Sequence, residues 1–133
     1  MYAIEGALLP RAPWTAFCLD ITLLYYDGPK LLLRRSTGGQ IYLAWWSDAD
    51  EDIERWIYLP IGEARLHHVL SGAVPSHQAL SEPEDGFVYV VDVENSGVIR
   101  QTIFTEMAFI PVNAAPLPNA RLNIQIPEEL RRE

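Results

Sequence analysis

An α+β domain built on an antiparallel sheet is what this sequence predicts, and three observations predict it. Four short runs rich in β-forming residues lie between Ile21 and Pro60, separated by turn residues. After Pro60 the apolar period changes from that of a strand to that of a helix. Two further β-rich runs then face each other across Glu94-Asn95-Ser96-Gly97. A run of strands, a helical insertion and a final hairpin make an α+β chain rather than a series of βαβ units.

Ile21 to Tyr26 reads as the first strand and stops at Asp27-Gly28-Pro29, a strong turn signal. Lys30 to Arg35 returns, Ser36-Thr37-Gly38-Gly39 turns again, and Gln40 to Trp46 is the third strand. Ser47 to Asp52 is a polar loop, and Glu54 to Pro60 is the fourth strand of what short links make a four-strand meander. The first two strands lack clean alternation and are expected to be central and covered on both faces, while Tyr42, Ala44 and Trp46 share one face of the third. Leu66, Val69, Leu70 and Ala73 fall on one helical face, with Glu63 at the positive end and Gly72 placed to terminate it. Pro75-Ser76 opens a second short helix reaching Leu80. Phe87 to Val93 and Val98 to Phe104 are the closing hairpin. The expected organisation is therefore one domain over residues 1–110 and an extended, proline-rich arm over 111–133. Within the arm, Leu122-Asn123-Ile124-Gln125-Ile126 alternates like an edge strand, which adds to this chain's own sheet or pairs with a second copy as a homodimer.

A chain of 133 residues, 49% of them hydrophobic, can bury a core without staples. Cys18 is the only cysteine, so no intramolecular disulfide forms. Its apolar neighbours Phe17, Leu19 and Ile21 predict a buried small hydrophobe rather than a reactive thiol. No run approaches the ~18 apolar residues that cross a membrane, and Glu5 stands where a signal peptide carries lysine or arginine, so the expected location is cytoplasmic. The net charge of −8 is unevenly placed: side chains sum to +1 over residues 1–40, −8 over 41–100 and −1 over 101–133. Such a field repels nucleic acid and anionic membrane and attracts a basic protein.

The densest acidity is Asp48, Asp50, Glu51, Asp52 and Glu54. Aligned to a calcium loop, the sixth position is Ile53 where glycine is needed and the twelfth is Leu59 where a glutamate is needed, so no metal is expected there. Trp45, Trp46 and Trp56 flank these acids, and aromatic anchors rimmed by charge are what interface hot spots look like. Alternation sends Trp45 and Trp46 to opposite faces. A second candidate is an anion-binding turn, Gly38-Gly39 beside Arg34 and Arg35. His67 and His68, adjacent on the helix and about 100° apart, cannot chelate as a pair, and His77 lies in the following link. The chain has no Gly-x-Ser-x-Gly elbow, phosphate loop or Gly-x-Gly-x-x-Gly, so neither a nucleophile motif nor a cofactor is expected.

Leu24-Tyr25-Tyr26-Asp27-Gly28-Pro29, then Gly39-x-x-Tyr42-Leu43, Arg55-Trp56-Ile57-Tyr58-Leu59-Pro60-Ile61 and Arg65-Leu66 with Ser71-Gly72 together resemble a family of small bacterial domains of unknown function. The resemblance runs from about Leu23 to Phe104, and its motifs are turns and strand ends. It implies the fold and carries over no catalytic residue, and similar proteins from mobile or defence-type gene clusters imply a partner-binding role. The expectation is a non-catalytic protein-binding module, in the manner of an antitoxin, inhibitor or assembly subunit. It docks a basic partner through Trp45, Trp46, Trp56 and the acids from Asp48 to Glu54. The alternative is a small enzyme or anion sensor using Arg34, Arg35 and His67 or His68.

Overall fold

A computed structural model of the chain describes residues 1–25, 28–74, 78–79 and 82–111. Its strands are β1 (Ala7–Leu9), β2 (Phe17–Tyr25), β3 (Pro29–Ser36), β4 (Ile41–Ala49), β5 (Ile53–Ile61), β6 (Phe87–Glu94) and β7 (Ile99–Glu106). The α-helix α1 (Glu63–Leu70) follows β5, and a 3-10 turn, Met107–Phe109, follows β7. All seven strands form one antiparallel sheet in the order β1-β7-β6-β5-β4-β3-β2.

The expected α+β class is corrected by this sheet, since a seven-stranded sheet with one eight-residue helix is a mainly-β fold. The four-strand meander exists as β2 to β5, but it is part of a larger sheet that β6, β7 and β1 complete. Two signals were too weak to read. The three residues of β1 are too few for any period to register, and β2 begins at Phe17, ahead of the first clear run. The first strand is also not central. Among the described residues β2 pairs only with β3, and so forms an edge, whereas Leu31, Leu32 and Leu33 of β3 are buried on both faces as expected. The proposed second helix falls mostly outside the described residues, of which Gln78 and Ala79 are helical. The arm from 112 onward, with Leu122–Ile126, and His77 lie outside them entirely.

Local chemistry sets the turns and the helix end. Gly39 and Gly97 close the β3–β4 and β6–β7 hairpins at φ +98° and +92°, a backbone that other residues adopt only with strain. Gly72 at φ +86° follows α1, and its N–H returns to the Val69 carbonyl at 3.1 Å, so the helix stops where the sequence places its glycine. Between Asp50 and Ile53 the Asp50 carboxylate accepts the N–H groups of Asp52 and Ile53, both at 3.0 Å. These two bonds hold its pKa below the ordinary aspartate value.

The two faces of the sheet carry separate cores. On one, Leu31, Leu33, Leu43, Trp45, Ile57, Leu59, Val88 and Val90 pack beneath Leu66, Val69 and Leu70 of α1. At one end of this face Arg55 and Asp92 form a buried ion pair, with Nε to Oδ1 at 2.8 Å and Nη2 to Oδ2 at 2.9 Å. Gln101 donates to the same carboxylate, and Arg55 also donates to the Tyr2 carbonyl while lying over the Tyr2 ring. The N-terminal residues are thereby tied down, with Tyr2 and Ile4 against the core. On the other face no helix lies among the described residues, and an aromatic cluster of Trp14, Tyr42, Trp56 and Tyr58 takes its place with Leu32, Ala44 and Val91.

Trp14 reaches that cluster because of the topology. β1 and β2 sit at opposite edges of the sheet although they are neighbours in sequence, so the link between Leu9 and Phe17 has to cross a face. Eight residue steps reach roughly 28 Å fully extended, and six strand spacings of a flat sheet amount to roughly 29 Å. The link bends at Pro10, Arg11, Pro13 and Thr15, so it spans less than that reach, and the sheet curls towards it. It becomes a strap over the helix-free face, pinned where Trp14 stacks on Tyr58 at 4.5 Å and meets Tyr42 edge-on at 5.0 Å.

Candidate functional site

A half-open cleft of about 610 Å³ lies on the strapped face. The strap residues Trp14 to Phe17 form one wall, and Gly97 and Ile99 at the β6–β7 hairpin form the other. Leu32, Trp56 and Tyr58 give it an apolar floor, and Asp20, Thr22, Arg34 and Glu54 bring polar groups to it. Period-two alternation on β3, β4 and β5 explains the assembly, because Leu32, Arg34, Tyr42, Ala44, Trp46, Glu54, Trp56 and Tyr58 occupy every second position.

Among the described residues its one cation is neutralised in place. Arg34 donates through Nε and Nη2 to the two carboxylate oxygens of Asp20, both at 3.0 Å, and through Nη1 to the Tyr58 hydroxyl. The guanidinium also lies 4.7 Å from the Phe17 ring. Burial, the largest single influence, would lower the pKa of Arg34, but the Asp20 hydrogen bond, Tyr58 and the Asp20 charge together outweigh it and the net shift is upward. Asp20 keeps a side-chain exposure of 51%, so a group in the cleft can still reach it. With Glu54 added, the polar groups of the cleft sum to one negative charge.

Tyr42 is pushed up to about 12, first by burial and then by Tyr89, and burial also raises Tyr58 and Tyr89 above the ordinary 10.0. A tyrosine whose folded pKa is raised contributes stability that is complete below pH ~10 and is lost as pH climbs towards the folded value. Titration of tyrosinate absorbance should therefore lag behind that of a denatured control, with unfolding setting in between pH ~10 and ~12. Normal titration of all six tyrosines with the fold intact would contradict this packing.

The structure separates the residues that the sequence grouped. Trp45 is 0% exposed and lies in the helix-side core, so it has no surface to offer a partner. Trp56 is buried at the cleft floor, with an edge lining the opening. Trp46 alone of the three is partly exposed, and it faces away from Trp45 as alternation requires. Its indole N–H donates to Glu54 at 3.2 Å, and the Lys30 ammonium lies 4.1 Å from its ring centre. Asp48 accepts the Ala49 N–H, Asp50 caps its loop, and Glu51 and Asp52 are exposed. This loop joins the end of the cleft, for the Asn95 side chain donates to the Glu51 carbonyl and its N–H to the Asp52 carbonyl.

Arg34 and Arg35 point to opposite faces, and only Arg34 enters the cleft. Around Gly38-Gly39 the N–H groups of Ser36, Thr37, Gly39 and Gln40 all bond within the chain, so those four are not free for an anion. His67 and His68 are exposed on α1, across the sheet from Arg34, and His67 stands 3.9 Å from Glu63. The sequence-based grouping of the arginines with the histidines is therefore not a single site. Cys18 is exposed rather than buried, because β2 is an edge and its thiol leans on the Arg35 and Ser36 carbonyls. Sequence reasoning passed over Trp14, Phe17, Asp20 and Tyr58. The available signal was the Trp56/Tyr58 alternation in step with Tyr42, Ala44 and Trp46, which marks a second apolar face that needs a cover.

Among the described residues no helix is long and apolar enough to cross a membrane. No curated protein and no solved structure matches the chain. A family model does match, over residues 19–122, and the chain belongs to that family of unknown function, DUF6575.

Proposed function

We propose that this domain is a non-catalytic protein-binding module whose partner presents an apolar side chain and basic residues to the strapped cleft. The observation that carries the reading is the cleft itself: an open, aromatic-floored hollow whose one cation among the described residues is paired with the half-exposed Asp20, with Glu54 leaving one net negative charge. Apolar anchors in desolvated pockets carry most of the energy of an interface, and rim charges set partner choice and on-rate. The exposed Glu51 and Asp52 at the hairpin end extend the negative field beyond the cleft, so the acidic loop acts as a rim rather than as the anchor. An anion sensor built on Arg34 is disfavoured, since the ligand would have to compete with Asp20 for the guanidinium. We take the module as a bacterial, cytoplasmic component with an antitoxin-, inhibitor- or assembly-type role, as the sequence leads one to expect.

The test is to identify the protein retained by the immobilised chain from its native host, purify it, and measure its affinity for two variants. Thr22→Lys and Ile99→Lys place a cation on each wall of the cleft at exposed positions, where the fold tolerates it. Each should weaken a basic partner at least about tenfold, while Glu63→Lys on α1 should not. Full-strength binding by both cleft variants, with loss on changing Glu51 and Asp52 to their amides, would move the contact to the loop.

A further inference from the structure

Among the described residues β2 is an edge strand, and it borders the cleft. Phe17, Asp20 and Thr22 line the opening, so a chain lying alongside β2 would place every second side chain over the cleft. The two edges of the sheet are unequal. β1 is three residues long and is followed at once by Pro10, which blunts it. β2 spans nine residues without a proline. Its register is irregular between Phe17 and Leu19 and again after Thr22, which leaves Leu19–Thr22 as the regular run, paired with Arg35, Arg34, Leu33 and Leu32. Tyr25, 73% exposed, stands at its end.

Resting on the cleft reading, we infer that β2 accepts a short added strand from the partner along Leu19–Thr22, and that this strand carries lysine or arginine across from Asp20 and an apolar residue two positions away. Cross-strand neighbours lie about 5 Å apart, within reach of the half-exposed Asp20 carboxylate, whose oxygens each bond Arg34 once and keep a further lone pair for a second donor. The next cleft-side position lies beside Thr22, one strand out from Leu32, and an apolar side chain there leans over Thr22 towards the hollow. The bulges limit the pairing to roughly four residues, a length that gives register and specificity with modest affinity. A second copy of this chain suits the edge poorly. Its β2 holds no cation to set against Asp20, and each copy brings a net charge of −8.

Hydrogen exchange on the whole chain tests this with a short blocked peptide of threonines carrying lysine and leucine two positions apart. The expected result is roughly tenfold slower exchange of outward amides within residues 19–22 and not along β1. Replacing the lysine by glutamate, or methylating alternate peptide nitrogens, should abolish the effect. Equal binding by the methylated peptide, with both peptides weakened by Ile99→Lys, overturns strand addition and leaves the cleft reading intact. An absence of slowing at saturating peptide, full protection of 19–22 without peptide, or a concentration-dependent dimer protecting that run each overturns the inference.

Discussion

Replacing Arg55 by alanine should cost about 3–5 kcal/mol of folding stability, because it leaves the carboxylate of Asp92 buried without its counter-ion. The side chains are 7% and 5% exposed, and Asp92 would retain only Gln101 among the side-chain donors the structure gives it. The hydrogen bond to Asp92 raises the pKa of Arg55, so the guanidinium keeps its charge at any working pH. The loss compares with a total stability of roughly 5–15 kcal/mol for a domain of ordinary stability. The change also releases the Tyr2 carbonyl and ring, so the N-terminal residues should lose exchange protection. Urea unfolding gives the magnitude. The double change Arg55→Met with Asp92→Leu removes both charges and should recover most of the loss, since apolar pairs often replace buried ion pairs at no net cost. A single variant within ~1 kcal/mol of the parent would show that water reaches this pair.

Trp45→Ala should be nearly as damaging, at about 3–5 kcal/mol, for a different reason. The residue is 0% exposed between Leu31 and Ile57 on neighbouring strands, and its removal opens a cavity that the sheet cannot close. Trp46→Ala on the opposite side of the same strand should cost no more than about 1 kcal/mol, the scale of a surface cation–π contact and one hydrogen bond. The two adjacent tryptophans thus serve opposite purposes, and the urea midpoints of the two variants separate them. Equal midpoints would contradict the assignment of faces.

Most strand and turn positions were legible in this sequence because its turns are chemically explicit, though the fold class was not. Glycine at positive φ marks the hairpins at Gly39 and Gly97 and the end of α1 at Gly72. Strand boundaries read from β-formers agree with β3 to β7 to within a few residues. What could not be read was non-local. Nothing in Ala7-Leu8-Leu9 announces a strand, because its partner is β7, some ninety-five residues away along the chain. The strap follows from where β1 pairs, so Trp14 could not be assigned to a cleft before that pairing was known. The acidic loop misled in the other direction. Five acids beside three tryptophans suggest one contact patch, but alternation buries Trp45 beneath α1, and Trp56 shows only an edge to the cleft. Arg34 and Arg35 show the same limit, since adjacent residues on a strand share a sequence motif but not a face.

The central claim is that binding occurs in the strapped cleft and not at the acidic loop alone. The chain has four tryptophans, and their indole N–H resonances report both faces and both candidate sites at once. On titration of the purified partner into labelled chain, the indole signals of Trp14 and Trp56 should shift most, with Trp46 shifting less and Trp45 unchanged. Shifts confined to Trp46 and the amides of Glu51 and Asp52, with Trp14 and Trp56 unmoved, would contradict it.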